Sequence, residues 1–234
     1  MVQRNVEVKR FHHHHDHHRH LVPHLVECYR EVFSDPPWNE WLKCANPNCP
    51  HPRKYWGRRD AEELARNHYR HCDQPMVDFW PRHTVADELA HEVNAKASCW
   101  IATDDSKVVG FCWGYATDPQ SLESKLGLKC AAEVKTGFPL ENGYSLAYQS
   151  ELGLLKEYRE QGFAKLMVRR RLEDFRSMGI KVGVVRTRET PEPSVTFSWF
   201  TKRLGYQIVA KYPGDDGRVI LARPFDDELV KLLS

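Results

Sequence analysis

A chain of 234 residues is long enough for one domain with insertions and a sizeable core. Its 34 Lys and Arg nearly cancel its 32 Asp and Glu, so no basic field calls for nucleic acid and no acidic excess calls for disorder. No apolar run approaches the roughly 18 residues of a membrane span and no secretory leader is recognisable, so the seven cysteines read as reduced thiols of a cytoplasmic protein, clustered ones suiting a metal better than disulfides.

In chain order, Asn5 to Phe11 alternates as a short strand, and the histidine run His12 to His20 reads as a native, solvated surface. Leu21, Leu25, Tyr29 and Val32 form a helical stripe from Leu21 to Phe33, which Ser34-Asp35-Pro36-Pro37-Trp38 stops because proline cannot continue a helix. Residues 39–82 are a different material, rich in Trp, Cys, His, Pro and Arg. Thr84 to Ala95 returns to a helix, with Thr84 as its expected N-cap. Ser98–Thr103 and Lys107–Thr117 flank Asp104-Asp105-Ser106 as a hairpin. Residues 118–142 read as loop with at most one short helix. Then follow a strand from Tyr144 to Leu155, a helix from Gly162 to Met178, a strand over Lys181–Thr187 and a helix over Ser194–Leu204. Tyr206–Tyr212 and Arg218–Ala222 make a last hairpin.

The stretch ELGLLKEYREQGFAK, Glu151 to Lys165, carries the functional information. An apolar strand enters a glycine-containing turn and leaves it as a basic amphipathic helix. First-turn amides have no intrahelical acceptor, and the helix dipole favours an anion beside them, so the turn suits a phosphate. Gly162 lets the backbone approach a ligand closely.

Arg159, Gly162 and Ala164 fit the Arg/Gln-x-x-Gly-x-Gly/Ala signature, and this turn resembles that of the GNAT family of N-acetyltransferases. The phrases VVGFCWGY and FTKRLGY, and the element order β-α-α-β-β-β-α-β-α-β-β, look similar to the same family over residues 1 to about 224. The resemblance implies an α/β (α+β) acyl-CoA N-acyltransferase fold, a mixed central sheet of about seven strands with helices on both faces. One GNAT domain would span residues 1–234, with 39–82 as a Cys/His-rich insertion and 118–142 as an inserted substrate loop. It also implies acetyl-CoA as cosubstrate, its pantetheine arm along Leu152, Gly153 and Leu154 and its phosphates at Arg159, Glu160, Gln161, Gly162, Phe163, Ala164 and Lys165.

Acetyl transfer to an amine needs a base and a proton for the leaving thiolate. Glu151 matches a position that often holds a carboxylate in relatives, with Glu189 a second candidate. The family's usual tyrosine acid falls on Thr201 here, and its usual asparagine on Ser194, leaving Tyr206 or water to protonate the thiolate. This departure keeps a non-catalytic acetyl-CoA sensor open as an alternative. The acceptor would be a primary amine of a small molecule or peptide, selected near Pro36-Pro37-Trp38, residues 118–142, Tyr144 and Tyr148. The protein would be a monomer or homodimer.

The insertion carries a second signal. Cys44-x4-Cys49 is followed by His68-x3-Cys72, the last two residues facing one way if helical. Cys44, Cys49, His68 and Cys72 suit a closed, structural Zn²⁺ site, with His71 or His51 able to replace a ligand. A stretch so poor in aliphatic residues needs a staple. A zinc module recruiting protein or nucleic acid through Arg53, Lys54, Arg58 and Arg59 is the third reading, although four charges on a loop are commonly just solvated.

Overall fold

The computed structural model describes residues 5–36, 38–49, 55–60, 72, 74–129, 134, 145–213 and 217–233. Strands β1 (Val6–Arg10), β5 (Ala97–Asp104), β6 (Lys107–Thr117), β7 (Leu146–Leu154), β8 (Val182–Arg188), β9 (Gln207–Lys211) and β10 (Arg218–Pro224) form one mixed seven-stranded sheet, ordered β1-β5-β6-β7-β8-β10-β9. Every pairing is antiparallel except β7 with β8. A parallel pair requires a crossover, and helix α4 (Phe163–Ser177) supplies it.

Helices cover both faces. Helix α1 (Val22–Ser34) sets Tyr29 and Phe33 against Phe111 of β6, with ring centroids 5.5 and 6.3 Å apart. Alternation sends the neighbouring side chains to the opposite face, where α4 lies. There Asp174 Oδ2 accepts from Ser98 Oγ at 2.6 Å and from Trp100 Nε1 at 2.9 Å. Helix α2 (Arg82–Glu92) packs beside α1, α3 (Pro119–Leu126) follows β6, and α5 (Val195–Lys202) precedes β9. Ser194 caps α5 by accepting from Phe197 N at 3.0 Å, and Asp118 caps α3 by accepting from Ser121 N at 2.9 Å. Among the described residues, no helix is long and apolar enough to cross a membrane.

Several expectations are corrected. Helix α2 starts at Arg82 after Pro81, whose fixed φ suits a helix entry, and it has no side-chain cap, so Thr84 is an ordinary first-turn residue. The histidine run is not simply solvated. It forms a 3-10 turn over Asp16–Leu21, with His12 N donating to His18 Nδ1 at 2.9 Å and His18 stacked on Phe11 at 5.4 Å. Burial accordingly lowers the His12 and His18 basicities. The 39–82 segment contributes a second sheet, β2 (Leu42–Cys44), β3 (Tyr55–Trp56) and β4 (Met76–Asp78) in the order β3-β2-β4. A last helix, α6 (Asp227–Leu233), buries Leu229 and Leu233 beyond the final hairpin.

Candidate functional site

Strands β7 and β8 are hydrogen-bonded only over Leu146–Tyr148 and Val182–Val184, after which they separate. The cause lies in β7. Trp113 is opposite Glu151 while Tyr115 is opposite Tyr148, so Gln149 and Ser150 face the single residue Gly114, a bulge that bends the strand. A Cβ on Gly114 would collide with the Tyr148 carbonyl, so glycine is required for this approach. From α4, the buried Arg171 holds the bent segment. Its Nη1 donates to the Trp113 and Glu151 carbonyls at 2.9 and 3.2 Å, and its Nη2 to Gln149 Oε1 at 2.7 Å. Arg171→Met would strand these three acceptors. At ~1–3 kcal/mol for each unpaired buried group, a loss of at least ~2 kcal/mol in urea unfolding is the expected result.

Two cavities flank the split. The first, of about 480 Å³, is lined by Leu152, Gly153 and Leu154 on one side and by Arg159, Glu160, Gly162, Ala164 and Lys165 at the start of α4. Eight of the ten residues singled out for the cofactor therefore share one cleft. Gln161 turns its side chain back to the Glu157 carbonyl at 2.9 Å, and Phe163 packs against the core, so neither lines it. Gly162 stands at φ 85° with open space where a Cβ would be, so glycine is needed here for its backbone conformation. Glu160, at φ 63°, shares this unusual geometry, and the turn thereby brings the α4 N-terminus to face the cleft. Arg159 folds back to donate to the Leu154 carbonyl at 3.0 Å, tying the turn to the strand end.

The second cavity, of about 310 Å³, combines Glu40, Glu88, Glu92 and Glu151 with aromatic walls that include Tyr29 and Trp80. The charges are opposed by Lys125, Arg186 and Arg218. Lys125 pairs with Glu92 at 2.9 Å, and Glu92 also accepts from Trp113 Nε1 at 2.8 Å. Burial, reinforced by the Glu92 charge, pushes the Glu151 carboxyl up to about 8. Burial also raises Glu40 and Glu88. The Tyr29 hydroxyl approaches Glu151 Oε1 at 3.5 Å. Trp38, Leu152 and Thr196 line both cavities, so the two spaces meet beside Glu151.

Other expected residues lie elsewhere. Tyr206 is buried, its hydroxyl accepting from Gln149 Nε2 at 2.7 Å, and it lines neither cavity. Burial pushes this phenol up to about 12. The Thr201 hydroxyl donates to the Phe197 carbonyl at 2.7 Å. Glu189 pairs with Lys211 at 2.6 Å and lines neither cavity. Tyr144 and His68 lie outside the described residues, whereas Tyr148 lines the second cavity. Cys44, Cys49 and Cys72 converge, their sulfurs all within 4.8 Å of one another. Sequence reasoning missed Glu40, Glu88, Glu92 and Thr196. The i, i+4 spacing of Glu88 and Glu92 on α2 was the available signal, since it places both on one helix face.

Comparison with known proteins matches this geometry to a class. The Acetyltransferase (GNAT) family model matches residues 60–206, more than half of the chain. The protein belongs to this family of acetyltransferases. Among solved structures it is similar to the PaiA N-acetyltransferase of Thermoplasma acidophilum in complex with coenzyme A, at 15% identity and a TM-score of 0.51, covering 94% of this chain and 99% of that one. It is also similar to an aminoglycoside 6'-acetyltransferase type Ii, at 14% identity and a TM-score of 0.50, covering 94% and 97%. These structural likenesses show a shared fold alone. A search of curated proteins found no match.

Proposed function

We propose that the protein transfers an acetyl group from acetyl-CoA to a primary amine of a small molecule or peptide, by direct attack when both are bound. The supporting observation is the junction at Trp38, Leu152 and Thr196, where a cleft ending at a helix N-terminus opens into a carboxylate-lined cavity. In this reading the β7 edge from Leu152 to Leu154 that no longer pairs with β8 takes the pantetheine arm, and the first-turn amides of α4, with Lys165, take the phosphates. Acetyl-CoA supplies the activated acetyl thioester. A structural Zn²⁺ in the insertion is the second cofactor of this reading.

Glu151 is the assigned base. As a carboxylate it accepts a proton from the incoming ammonium, freeing the nitrogen lone pair for the carbonyl carbon, and the C–S bond breaks as the C–N bond forms. Thr196 lines both cavities, and in this reading its hydroxyl hydrogen-bonds the departing sulfur while the second amine proton passes through water to the thiolate. Glu40, Glu88 and Glu151, all raised by burial, would gain from a bound cation, and the aromatic walls would hold the body of the acceptor. The reading takes residues 1–234 as one cytoplasmic GNAT domain with insertions at 39–82 and 118–142, acting as a monomer or homodimer without a nucleic-acid partner.

One observation favours the sensor alternative, since neither Thr201 nor Tyr206 offers a phenol to the cleft. A panel of aminoglycosides, polyamines, amino acids and peptides, assayed with acetyl-CoA for thiol release, separates the two. Saturable release dependent on one amine class is expected. Acetyl-CoA binding with no amine-dependent release would replace the enzyme by the sensor.

A further inference from the structure

The insertion delivers part of the acceptor wall, and its construction begins at the sulfurs. Cys44 ends β2, which pairs with β4 in the register Cys44 to Met76, Lys43 to Val77 and Leu42 to Asp78. The ladder continues past both strands, through Ala45 N to the Pro75 carbonyl at 3.0 Å and Phe79 N to the Trp41 carbonyl at 3.0 Å. At its far end Trp80 Nε1 donates to Glu40 Oε2 at 2.9 Å, and Phe79, Trp80 and Glu40 all line the second cavity. One short ladder therefore has thiols at one end and the acceptor wall at the other.

The thiol end has the form of a metal site. Cys44, Cys49 and Cys72 form no disulfide, and the Cys44 and Cys72 sulfurs are 3.7 Å apart. Thiolates on a tetrahedral Zn²⁺ at ~2.3 Å lie about 3.8 Å from each other, so this edge already has the required length. Asn46 turns the knuckle, with Cys49 N donating to its carbonyl at 3.1 Å and Asn48 N to its Oδ1 at 2.9 Å. It also directs its own N–H to Cys44 Sγ at 3.3 Å and its Nδ2 to Cys72 Sγ at 3.6 Å. Such N–H···S contacts orient ligand sulfurs and offset the charge that thiolates carry. Softness of the donor set selects zinc over magnesium or calcium.

We infer that the Cys44, Cys49 and Cys72 sulfurs bind one Zn²⁺ per chain, and that this ion controls acceptor binding by bracing the β2–β4 ladder that carries Glu40, Phe79 and Trp80. The second half rests on the acetyltransferase reading, while the first stands without it. Three-residue strands have little stability of their own, Trp56 and Cys72 are the buried hydrophobic side chains among the described residues of 39–82, and Arg30 anchors only the far end, by donating to the Trp80 carbonyl and Asp78 Oδ2 at 2.8 Å each. The ion would supply that stability without entering the chemistry.

The test uses the whole protein, purified under reducing conditions without added metal. Elemental analysis is expected to find one zinc per chain, and X-ray absorption to find at least three sulfur neighbours at ~2.3 Å. Removing the ion with a competing chelator should speed hydrogen exchange at the Ala45 and Phe79 amides by at least about tenfold, while β7 and α4 amides stay protected. With an accepted amine, its KM should rise at least about tenfold, kcat and acetyl-CoA affinity should hold, and added Zn²⁺ should reverse the change. Cys49→Ser provides a milder lesion should chelation aggregate the protein. Substoichiometric zinc, or a Cys44–Cys72 disulfide in the protein as isolated, would overturn the site. Stoichiometric zinc whose removal leaves the exchange at Ala45 and Phe79 unchanged, or loosens β7 equally, would overturn the bracing role. Absence of turnover with every amine would defeat the enzyme reading and leave the metal and exchange results to stand.

Discussion

Replacing Glu151 by Gln should slow acetyl transfer at pH 7 by ~10²- to 10⁴-fold, the range for loss of a general base. Acetyl-CoA affinity should remain, because the adjoining backbone of β7, rather than this side chain, faces the cofactor cleft. With the carboxyl raised to about 8, the free enzyme needs a pH above that value to hold most of its base ready. The pH profile of kcat/KM should therefore show an ascending limb near 8 that the Gln variant lacks. The deficit should widen as the wild type climbs that limb and shrink only near pH ~10, where a primary amine is itself neutral. The same substitution affects stability with a definite sign. A carboxyl raised in the fold from 4.5 to about 8 gives its full stability below pH 4.5 and loses it as pH climbs through 8. Gln stays neutral throughout, so the variant should melt higher than wild type at pH 8–9, by at least about 2 °C, and the gap should close towards pH 5. A variant fully active at pH 7 would remove Glu151 from the chemistry. Joint loss of rate and cofactor binding would make it structural.

Gly162→Asp should reduce acetyl-CoA affinity by at least about 10²-fold in calorimetry. Two effects act together. The carboxylate would enter the open space beside the α4 N-terminus, where the phosphates are expected, and like charges at such distances repel strongly in a partly enclosed cleft. The residue would also have to hold φ 85°, which aspartate adopts only with strain. Circular dichroism and thermal melting of the variant distinguish a blocked cleft from a disturbed helix. Unchanged affinity in a folded variant would mean that the turn does not hold the cofactor.

How much of this was legible in the sequence depends on the length scale of each signal. Strands β5 to β8 and helix α4 are long enough for their periodicities to show, and the signature turn is a local backbone device with a glycine at its centre. The cofactor cleft was accordingly readable almost residue by residue. The three strands of the insertion are two or three residues each, too short for a period to register. The acceptor cavity is assembled from Glu40, from Glu88 and Glu92 of α2, and from Glu151, three separate segments, and a spacing rule links only the α2 pair. Tyr206 carries a phenol shortly after α5. It precedes β9, and its hydroxyl meets Gln149 inside the core. The bulge opposite Gly114, which opens the split, leaves only a glycine in an otherwise regular strand as its sequence trace.

The cofactor cleft and the cavity that holds Glu151 share Trp38, Leu152 and Thr196 as walls. A crystal structure with acetyl-CoA and a slowly reacting or product amine tests directly whether one continuous space joins them. The pyrophosphate is expected against the first-turn amides of α4, the pantetheine along Leu152 to Leu154, and the acetyl carbon at the junction of Trp38, Leu152 and Thr196, with the amine nitrogen on the Glu151 side. A cofactor lying outside the split between β7 and β8, or an acetyl group directed away from Glu151 with the amine bound elsewhere, would contradict this arrangement.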